Sequence, residues 1–135
     1  MFLLDTHVWL WSVEHDRRLG GRALRLLNRA AAAGSVRISP VSLFEISSLH
    51  VSGRLHLSAP LGQWINDALE QVRVADISKI AAVDAGHIPR AALADPMDRL
   101  LVATARELDA TLVTADRAIL AYARDGHVRV HDATR

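Results

Sequence analysis

Short apolar runs alternate along the chain with longer stretches in which apolar residues recur every third or fourth position. The short runs predict β-strands, and the longer stretches predict helices. The predicted strands span residues 2–4, 36–38, 72–77, 111–113 and 128–130. The predicted helices span residues 6–13, 21–33, 39–53, 60–70, 78–87, 94–108 and 116–123. This alternation predicts an α/β protein with a parallel sheet covered by helices on both faces.

Length and composition indicate one domain. The chain has 135 residues, half of them apolar, which is enough to close a hydrophobic core. There are no repeats, low-complexity segments or linkers, so we predict a single domain over residues 1–135. The absence of cysteine excludes disulfides, thiolate zinc sites and cysteine nucleophiles. Any metal must therefore be held by oxygen or imidazole.

The apolar opening of the chain is not typical of a signal peptide, because it lacks a basic leader and is interrupted by Asp5. No run approaches the roughly 18 apolar residues of a membrane span. We therefore expect a cytoplasmic protein that does not contact a membrane. The net charge of +1 excludes a uniformly basic surface. Nearly all cations are arginine, a weak sign of phosphate binding.

Four carboxylates have positions that suggest a shared site. Asp5 and Asp116 each follow a predicted strand, and Asp98 lies in the first turn of a predicted helix. Ligands of open parallel sheets bind beyond the carboxyl ends of the strands. Glu45 is the only ionisable residue in the segment 39–49, and a charge in apolar surroundings needs a partner. Clusters of carboxylates suit Mg²⁺ or Mn²⁺.

Each acid also has a structural interpretation. Asp95 and Asp98 flank a proline and either can cap the helix that follows. Asp116 can cap a helix in the same way, Asp5 can be a turn residue, and Glu45 can lie on a solvated face. Their joint placement favours a common site.

Four segments in this order and spacing resemble the PIN-domain ribonucleases, and specifically the VapC toxins of bacterial toxin–antitoxin pairs. The segments read LLDTH at residues 3–7, SPVSLFEI at 39–46, DPMDR at 95–99 and LVTAD at 112–116. Each alone is unspecific, but together they cover nearly the whole chain. The chain departs from the family pattern at Phe44, often tryptophan, at Leu49, often basic, and at Met97, usually phenylalanine.

The resemblance implies a three-layer α/β/α sandwich and an Mg²⁺- or Mn²⁺-dependent endoribonuclease that is the toxin of a type II toxin–antitoxin system. It also implies an RNA substrate, a VapB-type antitoxin partner and a homodimer. By the same resemblance, Thr114 is an auxiliary polar residue of the site and Asp95 is a candidate fifth acid. The resemblance assigns the metal-binding and catalytic roles to four acids, which are Asp5, Glu45, Asp98 and Asp116.

Several questions stay open at this point. Arg99 and Arg117 adjoin candidate ligands and can contact the RNA backbone or form surface ion pairs. Trp9 and Trp11 can belong to a partner surface, although core packing is favoured. A degenerate PIN domain that binds RNA or a protein without cleavage is the alternative function. A phosphoryl-transfer receiver domain is disfavoured because the only lysine, Lys79, is far from the last strand.

Overall fold

A computed structural model describes residues 1–135 as five strands and seven helices. The five strands form one parallel sheet in the order β3-β2-β1-β4-β5. The strands are β1 Phe2–Leu4, β2 Val36–Ile38, β3 Arg73–Val74, β4 Thr111–Thr114 and β5 Val130–Asp132. The helices are α1 Thr6–Val13, α2 Gly21–Ala32, α3 Pro40–Val51, α4 Leu61–Ala68, α5 Lys79–His87, α6 Pro96–Glu107 and α7 Arg117–Arg124. The predicted α/β/α sandwich is confirmed.

Strand β1 lies at the centre of the sheet, between β2 and β4. Leu4, its last residue, is in register with Ile38 of β2 and Val113 of β4. The next residue, Asp5, donates its backbone N–H to the carbonyl of Val113 at 3.0 Å. Strands β1 and β4 therefore end side by side at the carboxyl edge of the sheet. The first of the candidate acids, Asp5, lies at this edge.

The hydrophobic core has two large parts, one on each face of the sheet, and a small third cluster of alanines between α5 and α6. Successive strand residues point to opposite faces, so Leu4 packs into one part and Leu3 into the other. The first part includes Trp9, which is fully buried and meets Trp64 edge to face at 5.2 Å. Trp11 is also buried there, so core packing is confirmed for both tryptophans of α1 and a partner surface is wrong.

Two strand predictions were wrong at their bounds by two residues or more, and β4 extends one residue beyond its prediction, to Thr114. The predicted strand 72–77 shrinks to two residues, because β2 ends at Ile38 and the chain beyond Ala75 has no neighbour to pair with. The last strand begins at Val130, two residues later than predicted, since Val130 pairs with Leu112 and Asp132 with Thr114. The ends of these two strands are set by pairing with a neighbouring strand and not by the apolar pattern.

The residues after β5 pack against the start of α2. The N–H of Gly20 donates to the carbonyl of Ala133 at 2.8 Å, and the N–H of Ala23 donates to that of Arg135 at 2.9 Å. A Cβ on Gly20 would lie 2.1 Å from the Arg135 carbonyl oxygen, so this approach requires glycine. None of the helices has the length and apolar character needed to cross a bilayer.

Candidate metal centre

Asp5 follows β1 and is the N-cap of α1. Its Oδ1 accepts the N–H of Thr6 at 2.7 Å, and its Oδ2 accepts the hydroxyl of Thr114 at 2.6 Å. The side chain is buried, and burial raises the pKa of Asp5 although both hydrogen bonds lower it. A carboxylate buried at the end of an apolar strand is thus held in a fixed orientation by its two neighbours.

Glu45 lies on α3, whose first residues are fixed by a cap from Ser39 and by proline at the first helical position. Its Oε1 accepts the hydroxyl of Thr6 at 2.6 Å. The side chain is half-buried, so Glu45 does not lie on a fully solvated face. Burial raises the pKa of Glu45, the Thr6 hydrogen bond lowers it, and repulsion by Asp5 raises it further.

Asp98 lies in the first turn of α6 and is not the cap of that helix. Its pKa is raised to about 7, first by burial and then by repulsion from four other carboxylates. In decreasing order of effect these are Asp116, Asp95, Asp5 and Glu45. The fold therefore brings the other acids selected from the sequence close enough to Asp98 to oppose its ionisation.

Asp116 is the N-cap of α7, where its Oδ1 accepts the N–H of Ile119 at 3.0 Å. Its own N–H donates to the hydroxyl oxygen of Thr114 at 3.0 Å. Thr114 is fully buried and thus connects Asp5 to the first residues after β4. The structural role foreseen for Asp116 is present, and the same geometry places it beside Asp98 and Asp5.

Asp95 caps α6 by accepting the N–H of Met97 at 2.8 Å, so its capping role is confirmed. It is exposed, and it still contributes to the raised pKa of Glu45 and Asp98. Arg99 is half-buried and Arg117 is exposed, and neither forms an ion pair with a carboxylate. The ion-pair interpretation of both arginines is therefore wrong.

The chemistry of the cluster fits a hard divalent cation. The groups that meet are carboxylate and hydroxyl oxygens, and the repulsion that raises the pKa of Asp98 is what a cation relieves. In their present rotamers, however, no three His, Cys, Asp or Glu side chains are spaced to hold a metal ion directly. Binding thus requires rotation of one or more side chains, or bridging water, which Mg²⁺ usually retains.

Three residues near the acids were not selected from the sequence. Thr6 and Ser42 lie in quoted motifs, but nothing in their spacing shows that their hydroxyls meet at 2.9 Å. His7 also lies in one of these motifs, two residues after Asp5. It is exposed and close enough to both acids to lower the pKa of Asp5 and of Glu45.

A cavity of about 370 Å³ lies elsewhere, between α2 and the end of α4. Its lining includes Trp9, Leu27, Ala68 and Val72, and none of the clustered acids. The cluster, and not this cavity, has the convergent charges of a reactive site.

The fold and the cluster together define the class of this protein. It is an α/β protein with an acidic site beyond the central strands of a parallel sheet. More specifically, the chain belongs to the PIN-domain family, whose model matches residues 2–125. It is 33% identical over 117 residues to Ribonuclease VapC22 of Mycobacterium tuberculosis (strain ATCC 25618 / H37Rv). That alignment covers 87% of this chain and 88% of the relative.

Solved structures share the fold at lower identity. VapBC2 of Rickettsia felis, bound to a promoter DNA fragment, is 18% identical with a TM-score of 0.70, covering 96% of each chain. DNA-bound VapBC of Salmonella typhimurium is 23% identical with a TM-score of 0.68, covering 97% of this chain and 96% of that one. FitAcB of Neisseria gonorrhoeae is 20% identical with a TM-score of 0.65, covering 98% of each chain.

Proposed function

We propose that this PIN-domain protein is a metal-dependent endoribonuclease and the toxin of a type II toxin–antitoxin system. The observation that carries the proposal is the position of Asp98, where burial and repulsion from four other carboxylates raise its pKa to about 7. Such a concentration of like charge destabilises the fold unless a cation or a proton neutralises it, and carboxylates with perturbed pKa values cluster at functional sites. The 33% identity to a ribonuclease over most of both chains supports RNA as the substrate.

Asp5, Asp98 and Asp116 would hold one or two Mg²⁺ or Mn²⁺ ions, and Glu45 would hold a second ion or orient water. A divalent ion, when bound, lowers the pKa of water and neutralises charge that develops on the phosphate. Thr114 keeps Asp5 oriented throughout, and Asp95 holds the start of α6, and with it Asp98, in place.

The unpaired guanidinium groups of Arg99 and Arg117 are available for the RNA backbone next to the acids. Arginine pairs with phosphate bidentately, and this counteracts the repulsion between an acidic site and a polyanion. Attack of water in line with the scissile P–O bond would leave a 5′-phosphate on one product and a 3′-hydroxyl on the other.

The direct test is cleavage of RNA in the presence of Mg²⁺ by the parent and by Asp5→Asn and Asp98→Asn. We expect both variants to lose cleavage, and Asp125→Asn, which changes an exposed aspartate at the end of α7, to cut like the parent. Equal cutting by all of them would overturn the mechanism. Calorimetric titration with Mn²⁺ separates a nuclease from a degenerate PIN domain, since a pure binder need not bind metal.

A toxin requires a partner that neutralises it, and we propose a VapB-type antitoxin whose C-terminal segment lies across the acidic cleft. Two of the solved structures with this fold are VapBC assemblies, and a third, 18% identical with a TM-score of 0.59, is a toxin–antitoxin complex from Klebsiella pneumoniae. Co-expression with the neighbouring reading frame tests the pairing. Loss of toxicity and recovery of a stable complex are the expected results.

We also propose a homodimer formed through α3 and α5, which both pack against α6. Each of these helices exposes large apolar side chains, and contiguous exposed apolar patches mark protein–protein interfaces. They are Phe44 and Val51 on α3 and Ile80 and Val83 on α5. Phe44 precedes Glu45, so this interface would adjoin the acidic cluster.

A further inference from the structure

Thr6 contacts two of the clustered acids at once. Its backbone N–H donates to Oδ1 of Asp5 at 2.7 Å, and its hydroxyl donates to Oε1 of Glu45 at 2.6 Å. Asp5 is adjacent to Thr6, whereas Glu45 lies 39 residues further along the chain, on a different helix. Thr6 is only 2% exposed, so bulk water does not compete for these hydrogen bonds. The residue thus connects an acid at the end of β1 to one on α3.

The direction of the hydroxyl hydrogen bonds follows from counting protons. The hydroxyl oxygens of Thr6 and Ser42 are 2.9 Å apart, and each group has one proton to donate. An ionised Glu45 can only accept hydrogen bonds, so the Thr6 hydroxyl donates its one proton to Glu45. The Ser42 hydroxyl must therefore donate to the Thr6 oxygen. Ser42 is fully buried and lies three residues before Glu45 on the same side of α3.

We propose that Thr6 is a positioning residue that holds the Glu45 carboxylate beside Asp5 for divalent-cation binding, and that Ser42 orients the Thr6 hydroxyl. This inference rests on the proposed function, because it assigns the Thr6 and Ser42 hydroxyls a task at the same metal site.

The physical reason is conformational entropy. A glutamate side chain has several rotatable bonds, and ordering it costs free energy that would otherwise oppose ion binding. The Thr6 hydrogen bond orders Glu45 during folding, before an ion arrives. It leaves the second oxygen of Glu45 free, and the remaining lone pair of Oε1 as well.

The test compares Mn²⁺ affinities by calorimetry in Thr6→Val, Thr6→Ser and Ser42→Ala. Removing a group that orients a metal ligand typically weakens metal binding about 10- to 100-fold, and we expect this for Thr6→Val. Thr6→Ser keeps the hydroxyl and should restore most of the affinity, while Ser42→Ala should have an intermediate effect. Thr104→Val is the matched control, since that buried hydroxyl donates at 2.8 Å to the carbonyl of Leu100 within α6.

A second readout does not depend on the metal. In a crystal structure of metal-free Thr6→Val, we expect the Glu45 side chain to leave the position it has in the parent. Thermal melts establish that each variant is folded, and Thr6→Ala replaces Thr6→Val if the latter is not. Unchanged Mn²⁺ affinity in a folded Thr6 variant, or an unmoved Glu45, would overturn the positioning role.

Failure of the proposed function has a different signature. If the parent itself neither binds Mn²⁺ nor cuts RNA, the nuclease assignment is wrong, and metal affinities no longer bear on Thr6. The metal-free position of Glu45 in the Thr6 variants then still decides whether Thr6 and Ser42 position this carboxylate.

Discussion

The hydroxyl of Thr114 donates a 2.6 Å hydrogen bond to Oδ2 of Asp5, across 109 residues of sequence. The two residues meet because β1 and β4 are parallel neighbours that end at the same edge of the sheet. Thr114 also accepts the N–H of Asp116, so one buried hydroxyl orders two of the proposed metal ligands. The acidic site is consequently built on the ends of strands, where backbone hydrogen bonds restrict movement.

Replacing Thr114 with valine should therefore harm both the site and the fold. Asp5 is buried and would lose a hydrogen bond to a charged group, worth about 1.5–3 kcal/mol of unfolding free energy. Urea denaturation measures this loss, and calorimetry should show weaker Mn²⁺ binding. Thr111→Val, at the other end of β4, is the control and should change neither quantity much. Equal stability of the two variants would contradict the assigned hydrogen bond.

The stability of the metal-free protein should fall between about pH 4 and pH 7. The pKa of Asp98 is raised from 3.8 to about 7 in the folded state. Over that interval the folded state retains a proton that the unfolded state has lost, so each rise in pH favours unfolding. The loss of unfolding free energy is complete above about pH 7 and absent below about pH 4.

Urea denaturation at pH 5 and pH 8, without metal, measures this dependence on pH. Asp98→Asn should have a flatter profile and should exceed the parent in stability at pH 8. Adding Mg²⁺ should stabilise the parent more at pH 8 than at pH 5, because the ion competes with a proton at the lower pH. An unchanged pH profile in Asp98→Asn would show that the acids do not interact as described.

Gly20→Ala should destabilise the protein, because the new Cβ would lie 2.1 Å from the Arg135 carbonyl oxygen. Residues 133–135 would have to move and lose their hydrogen bonds to the start of α2. The control is Gly86→Ala on α5, where an added Cβ meets nothing within 4 Å. Since alanine is the better helix former, this control should gain about 0.5–1 kcal/mol. Melting temperatures of the two variants should thus move in opposite directions.

Glu14 connects the end of α1 to α4 and to the segment before it. Its Oε1 accepts the indole N–H of Trp64 at 2.9 Å, and the backbone N–H and hydroxyl of Ser58, each at 3.3 Å. Glu14→Ala leaves the largely buried indole without a partner, at a cost of about 1–3 kcal/mol. Glu14→Gln keeps an acceptor oxygen and should recover much of the stability in urea denaturation. If alanine and glutamine are equivalent, the hydrogen bond to Trp64 contributes nothing.

The proposed homodimer predicts that Val51→Asp and Ile80→Asp are monomeric. Both residues are more than two-thirds exposed in the single chain, so a charge there has little effect on the fold itself. Within an interface the same charge would be buried without a partner. Sedimentation velocity distinguishes the two states. Leu24→Asp, an exposed apolar position on α2, is the control and should sediment like the parent.

Much of the fold was predictable because it depends on local pattern. The alternation of short apolar runs with helical periodicity identified every strand and helix, and the N-cap residues placed the starts of α3, α6 and α7 close to where they lie. The larger errors occurred at β3 and β5. Both are edge strands, and the length of an edge strand depends on its single neighbour, which is distant in sequence.

The sequence by itself therefore determined the class of fold, the candidate acids and the capping role of Asp95, since each follows from residues within a few positions of one another. Only the tertiary structure decided which hydroxyls hold the acids and how strongly the acids repel one another. Thr6 meets Glu45, and Thr114 meets Asp5, through contacts that close loops of 39 and 109 residues. Burial and repulsion between distant groups, which raise the pKa of Asp98 to about 7, exist only once the sheet has brought those groups together.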